Sequence, residues 1–131
     1  MRSTASLVVI LAFAASIAAC GPREPLTVES FQLGRSLNPD RTVANHTTTF
    51  KPEDTFYVSI LSPAPGYGTL GVRWAYEGRV VDEPKQDVSY RGAAATEFHL
   101  VNSSGFPPGD YSVEVFLNGA SVGKRDFHVQ K

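Results

Sequence analysis

From Leu26 onward the chain alternates between short period-two hydrophobic runs and clusters of glycine, proline and asparagine. Residues 55–61 place Phe56, Val58 and Ile60 on one side. Residues 70–76 place Leu70, Val72, Trp74 and Tyr76 opposite Gly71, Arg73 and Ala75, and residues 111–117 place Tyr111, Val113, Val115 and Leu117 opposite Ser112, Glu114 and Phe116. Strict alternation predicts strands with one buried and one wet face. No window combines 3.6-residue apolar spacing with helix caps. Weaker alternation predicts further strands at residues 26–33, 42–50, 86–90 and 96–101. Glu77-Gly78 and Asn118-Gly119 read as hairpin turns leading into strands at 79–83 and 121–129, because both central residues of a type I′ turn need positive φ.

Seven to nine short strands with frequent turns predict an all-β, antiparallel sandwich. Two residues fit an immunoglobulin-like version of it. Trp74 lies mid-strand, where such domains bury an indole against the facing sheet. Tyr111 opens a late strand after Phe106-Pro107-Pro108-Gly109, the place of a tyrosine corner. Paired cysteines are absent: the chain has a single cysteine, Cys20, so no internal disulfide is available and the fold must stand on its core.

The first residues follow a different pattern. Met1-Arg2 supplies a positive start, residues 7–15 are apolar, and small residues lead to Cys20. That order is the secretory-signal arrangement, and the apolar part is shorter than the roughly 18–20 residues a transmembrane helix needs. The quartet Ile17-Ala18-Ala19-Cys20 resembles the lipobox of bacterial lipoproteins. The resemblance implies cleavage before Cys20 and attachment of a diacylglycerol to its thiol, with acyl chains holding the domain at a membrane. Gly21 follows the cysteine, rather than aspartate, which by the same resemblance implies the outer membrane, facing the periplasm. The expected organisation is a signal peptide at 1–19, a lipidated amino terminus and short linker at 20–25, and one β-sandwich domain at 26–131.

Charge changes the picture little. Twelve basic and 13 acidic residues leave a formal charge of −1, with no basic stripe of the kind a nucleic-acid partner requires. Segments 50–59, Val72-Arg73-Trp74, 108–119 and Phe127-His128-Val129 resemble an immunoglobulin-like domain that recurs in bacterial lipoproteins. The family carries no shared catalytic residues, so the resemblance implies fold and not chemistry.

Candidate chemistry is thin. Asp126 and His128 lie two apart on one strand, on the face away from Phe127 and Val129, but no nucleophile accompanies them. His46, His99 and His128 match no zinc spacing, so neither a metal nor another cofactor is expected. The triplets beginning at Asn45 and Asn102 match the glycosylation acceptor pattern, for which a bacterial lipoprotein has no obvious use. Recognition has better candidates. Residues 62–68 (Ser-Pro-Ala-Pro-Gly-Tyr-Gly) read as a loop with Tyr67 at its tip, at the same end of the sandwich as the Asn118 turn. Tyr57 and Phe116 occupy wet strand phases and read as outward aromatics. The expectation is a non-enzymatic, lipid-anchored module that recognises a protein partner in the envelope; the alternative is a carbohydrate or peptidoglycan-fragment binder using Tyr67, Tyr57 and Phe116. In the simple strand order the Tyr67 end faces the membrane, whereas an extra strand within residues 26–50 would reverse that.

Overall fold

A computed structural model describes residues 24–131; the expected signal peptide at 1–19, Cys20 and residues 21–23 lie outside them. Ten strands follow in order: β1 Ser30–Leu37, β2 Val43–His46, β3 Thr49–Phe50, β4 Phe56–Ser62, β5 Gly66–Tyr76, β6 Arg79–Asp82, β7 Lys85–Tyr90, β8 Ala94–Leu100, β9 Gly109–Leu117 and β10 Ala120–Val129. One sheet has the order β2-β1-β4-β8; the other runs β3-β10-β9-β5-β6, with β7 also paired to β5. Apart from the parallel β3–β10 contact, these pairings are antiparallel.

The register follows from alternation. Leu70, Val72 and Trp74 of β5 pair with Leu117, Val115 and Val113 of β9, all turned into the sandwich. The outward partners are Gly71 with Phe116, Arg73 with Glu114, and Ala75 with Ser112. From the facing sheet come Phe31, Leu33, Phe56, Val58, Ile60 and Phe98. Phe56 is fully buried at the centre of an aromatic cluster: Phe106 stacks on it at 3.9 Å, and Phe50, Phe127 and Tyr111 meet it edge-on at 4.8, 4.8 and 5.3 Å. Such offset and edge contacts add to the area burial that drives the fold. Trp74 is buried against Phe56 and Phe127. The Tyr111 hydroxyl donates to the Pro107 carbonyl at 2.7 Å, the bond of a tyrosine corner. Glu77-Gly78 and Asn118-Gly119 all have positive φ, as type I′ turns require.

Two departures from the sequence expectation matter for the site. Residues 42–50 form two strands rather than one, because the chain changes sheets within them: β2 pairs with β1, while β3 pairs with β10. Thr47 braces the crossing, its hydroxyl bonding the Thr49 N–H and carbonyl. Second, β1 pairs with β4 up to Gly34 and with β2 from Gly34 onward. The β1–β2 hairpin folds back over the outer face of β4, where the Ser59 hydroxyl donates to the Arg41 carbonyl at 2.7 Å and Val43 is buried. Gly34 permits this, since a Cβ there would stand 2.1 Å from Val43 Cγ1 and 2.7 Å from the Ala44 oxygen.

Candidate functional site

The first described residues fix how the chain enters. Glu24 accepts a hydrogen bond from the Tyr67 N–H at 3.0 Å, and the Leu26 N–H donates to the Tyr67 carbonyl at 2.8 Å, with Pro25 paired parallel to Tyr67. Leu26 is buried in the core. Among the described residues the chain is thus paired to the domain from Glu24 onward, beside β5. β2 and β3 do add strands within residues 26–50, but they follow β1 and leave the entry at the Tyr67 end.

Tyr67 itself is not on a loop tip. It is the second residue of β5, laddered to Ser89 of β7 on one side and to the entering segment on the other, with its side chain half-exposed on the outward face. The glycine-flanked sequence reads as a loop, but neighbouring backbone on both sides extends the strand through it. Asn118 is also engaged: its side-chain oxygen accepts from the Thr69 N–H at 2.9 Å while its own N–H donates to the Thr69 carbonyl. The turn is therefore braced against β5.

Phe116 shares the outward face of the larger sheet with Tyr67. It borders a recess of ≈ 270 Å³, floored by Gly71 and walled by Arg73, Pro84 and Lys85. The Arg73 guanidinium lies over the Phe116 ring, 4.8 Å from its centroid, and is held there by Glu83 at 2.6 Å and Glu114 at 3.5 Å. The Glu83 hydrogen bond, followed by the charges of both carboxylates, makes Arg73 still harder to deprotonate. Tyr57 lies on the other sheet, next to His99 at 5.7 Å between rings. The three outward aromatics therefore do not form one platform.

The histidines stay apart. His128 Nδ1 meets Asp110 at 3.0 Å, not Asp126, and His99 Nδ1 meets Glu97 at 3.0 Å. Asp126 and His128 both lie exposed on the open face of β10. Among the described residues no three His, Cys, Asp or Glu side chains gather to hold a metal.

A feature the sequence reading missed lies at the pole opposite the chain entry. Between the edge strands β6 and β8 opens an apolar cleft of ≈ 290 Å³, lined by Tyr76, Val81, Leu100, Val101, Phe106 and Pro107 among others, none of them charged. Its two hydroxyls are already engaged: that of Tyr76 donates to Pro108 O, and that of Tyr111 to Pro107 O. Burial, then the nearby Tyr76 and Glu77, pushes the Tyr111 hydroxyl up to about 12. Val80, Val81 and Val101 are 52%, 50% and 61% exposed, so half of each side chain remains in water. The signal in the sequence was Val80-Val81, two adjacent valines that no one-sided strand buries together.

No family model matches the chain, and no curated protein does. Among solved structures, an immunoglobulin-like protein from Pseudomonas aeruginosa superposes with a TM-score of 0.56 at 11% identity, covering 84% of this chain and 100% of the other. A CARDB domain from Pyrococcus furiosus gives 0.44 at 10% identity, over 88% and 97% of the two chains. The alkylpurine DNA glycosylase AlkC from Pseudomonas fluorescens gives 0.47 at 15% identity, over 82% of this chain but 31% of that one. At 11% identity the likeness to the Pseudomonas aeruginosa protein is one of fold alone, and with the strand pairings above it makes this domain an immunoglobulin-like, all-β sandwich.

Proposed function

We propose that this protein is a non-enzymatic accessory module of the bacterial envelope, held at the outer membrane by acyl chains on Cys20, which recognises a protein partner through the cleft between β6 and β8. The observation that carries the reading is the uncharged cleft flanked by half-exposed valines. Exposed valine is unfavourable by roughly 25 cal/mol per Å² of apolar surface left in water, so a concentrated apolar opening fits an occupied surface better than a bare one. Its chemistry selects an apolar side chain on an extended segment, because β6 and β8 are edge strands, with no further strand paired to their outer sides among the described residues. The carbohydrate alternative has less support, since Tyr57 is on the other sheet and Arg73 covers Phe116.

A photoreactive residue replacing Val101 in living cells tests the assignment, with one replacing Lys124 on the outward face as control. The expected result is a single protein adduct from the Val101 position, abolished by Val81→Asp. No adduct there, or the same adduct from both positions, would count against the cleft. The anchor has its own test: Cys20→Ser should move the protein from the membrane to the soluble fraction.

A further inference from the structure

The clamp of Glu24–Leu26 onto β5 limits how far the domain stands from its anchor. From Cys20 to Glu24 the chain takes four steps, so at roughly 3.3–3.6 Å each the two ends are no more than about 14 Å apart. The headgroup layer itself takes roughly 5–8 Å of that per leaflet. A lipid on Cys20 therefore brings the entry pole to the bilayer surface with almost no slack.

The pole is built for such a position. Ser62 of β4 pairs with Ala94 of β8, so the 63–65 and 91–93 loops stand at the same height, beside the entering chain. Pro63, Ala64 and Pro65 are exposed and uncharged. The two prolines have no backbone N–H to desolvate, so this loop loses little on leaving bulk water. Tyr67, 50% exposed, adds an amphipathic ring of the kind that resides at headgroup depth. The tip of the β1–β2 hairpin reaches the same end, where Asp40 and Thr42 line a shallow recess with Ser62, Pro63 and Ala93. Among the described residues Arg41 and Arg91 are offset there by Glu24, Glu29 and Asp40, so these supply no positive excess that would call for anionic lipid.

We infer that the domain stands on this pole, with the 63–65 loop and Tyr67 in contact with zwitterionic headgroups. β5 then runs away from the membrane. Its 11 residues hold the β6–β8 cleft roughly 35 Å further out, at about 3.3 Å per residue. The inference rests on the proposed acylation of Cys20.

Acylated full-length protein in phosphatidylethanolamine vesicles, containing a fraction of lipid with a photoreactive headgroup, provides the test. After irradiation and digestion, lipid adducts are expected within residues 62–67 and 91–94. Ala64→Asp should lose the adducts in 62–67 while still floating with the vesicles, and replacing part of the phosphatidylethanolamine with phosphatidylglycerol should leave their yield unchanged. Adducts concentrated in 77–81 or 101–107, or none on protein that floats, would overturn the orientation while leaving the anchor standing. Protein that does not float would overturn the anchor itself.

Discussion

Replacing Gly66 by alanine probes the clamp that joins tether and domain. A Cβ at Gly66 would stand 2.7 Å from Leu26 Cα, 2.9 Å from Leu26 N and 2.9 Å from the Pro25 carbonyl oxygen, all of them backbone atoms. Either β5 distorts or the entering segment lifts away. Lifting it loses two hydrogen bonds, at roughly 1 kcal/mol each, and the burial of Leu26, roughly 1.5–3 kcal/mol. It regains the backbone freedom of Glu24, Pro25 and Leu26, about 1–2 kcal/mol per residue. The two sides nearly cancel, so detachment costs at most about 2 kcal/mol. Distorting β5 instead would break its ladder with β7 at Gly66↔Tyr90 and Tyr67↔Ser89 and strain the sheet beneath it. Detachment is the cheaper response.

The expected result is a folded domain whose melting temperature falls by about 4–8 °C for each kcal/mol lost. Hydrogen-exchange mass spectrometry should show fast exchange at the Leu26 and Tyr67 amides while β9 and β10 stay protected. Gly92→Ala serves as control, because nothing stands within 4 Å of its Cβ. A Gly66→Ala protein with unchanged melting and protected Leu26 and Tyr67 amides would refute the reasoning. So would global unfolding, because it would mean that the segment is integral to the core.

Three further outcomes follow from the same geometry. Tyr111→Phe keeps the ring contacts with Phe127 and Tyr76 and removes the bond to Pro107, so denaturant melts should show a loss of about 1–1.5 kcal/mol. Because the folded state holds that hydroxyl protonated to about 12 rather than 10.0, its contribution is fully present below pH 10 and lost as pH rises toward 12; the variant should show a shallower alkaline decline than the parent. Gly34→Ala places a methyl group against Val43 and the Ala44 and Asn45 carbonyls and should cost about 1–3 kcal/mol, in the range of overpacking, with the Val43 amide becoming fast-exchanging. Asn118→Ala loses the Thr69 bond and leaves at φ 50° a residue that tolerates the left-handed region less well than asparagine, for about 2 kcal/mol, whereas Asn118→Gly, free of that steric cost, should lose no more than the bond, about 1 kcal/mol; equal losses in the two melts would contradict this.

The sandwich was legible wherever burial is one-sided. Residues 70–76 and 111–117 alternate because one face of each strand meets the other sheet, and the two type I′ turns are written in Glu-Gly and Asn-Gly. What stayed hidden depends on contacts distant in sequence. Nothing within residues 42–50 says that the segment leaves one sheet for the other, because that choice belongs to β10, some eighty residues on. Tyr67 reads as a loop tip because prolines and glycines precede and flank it, yet Pro25 and Ser89 pair with it from both sides. The fold-back at Gly34 has the same character: the glycine is visible in the sequence, its reason is not. The β6–β8 cleft is least legible, since only the adjacent Val80-Val81 hints at it, while Leu100, Val101 and Phe106 look unremarkable until the fold brings them together.

Arg73 shows how the outward face of the larger sheet is closed to stacking ligands. A flat aromatic recognises a sugar or a planar group through its exposed π-face, and Phe116 presents that face to a guanidinium 4.8 Å from its centroid. Freeing the ring means moving Arg73 off two carboxylates and out of a cation–π contact worth about 0.5–1 kcal/mol at an exposed site. A ligand must repay that before any contact of its own counts. The cleft at the far pole asks for no such exchange, because its hydroxyls are bonded inward and its valines face water. Arg73→Ala is the discriminating change. It should uncover Phe116 and increase nonspecific aromatic or sugar binding, while leaving the crosslink from position 101 as it was.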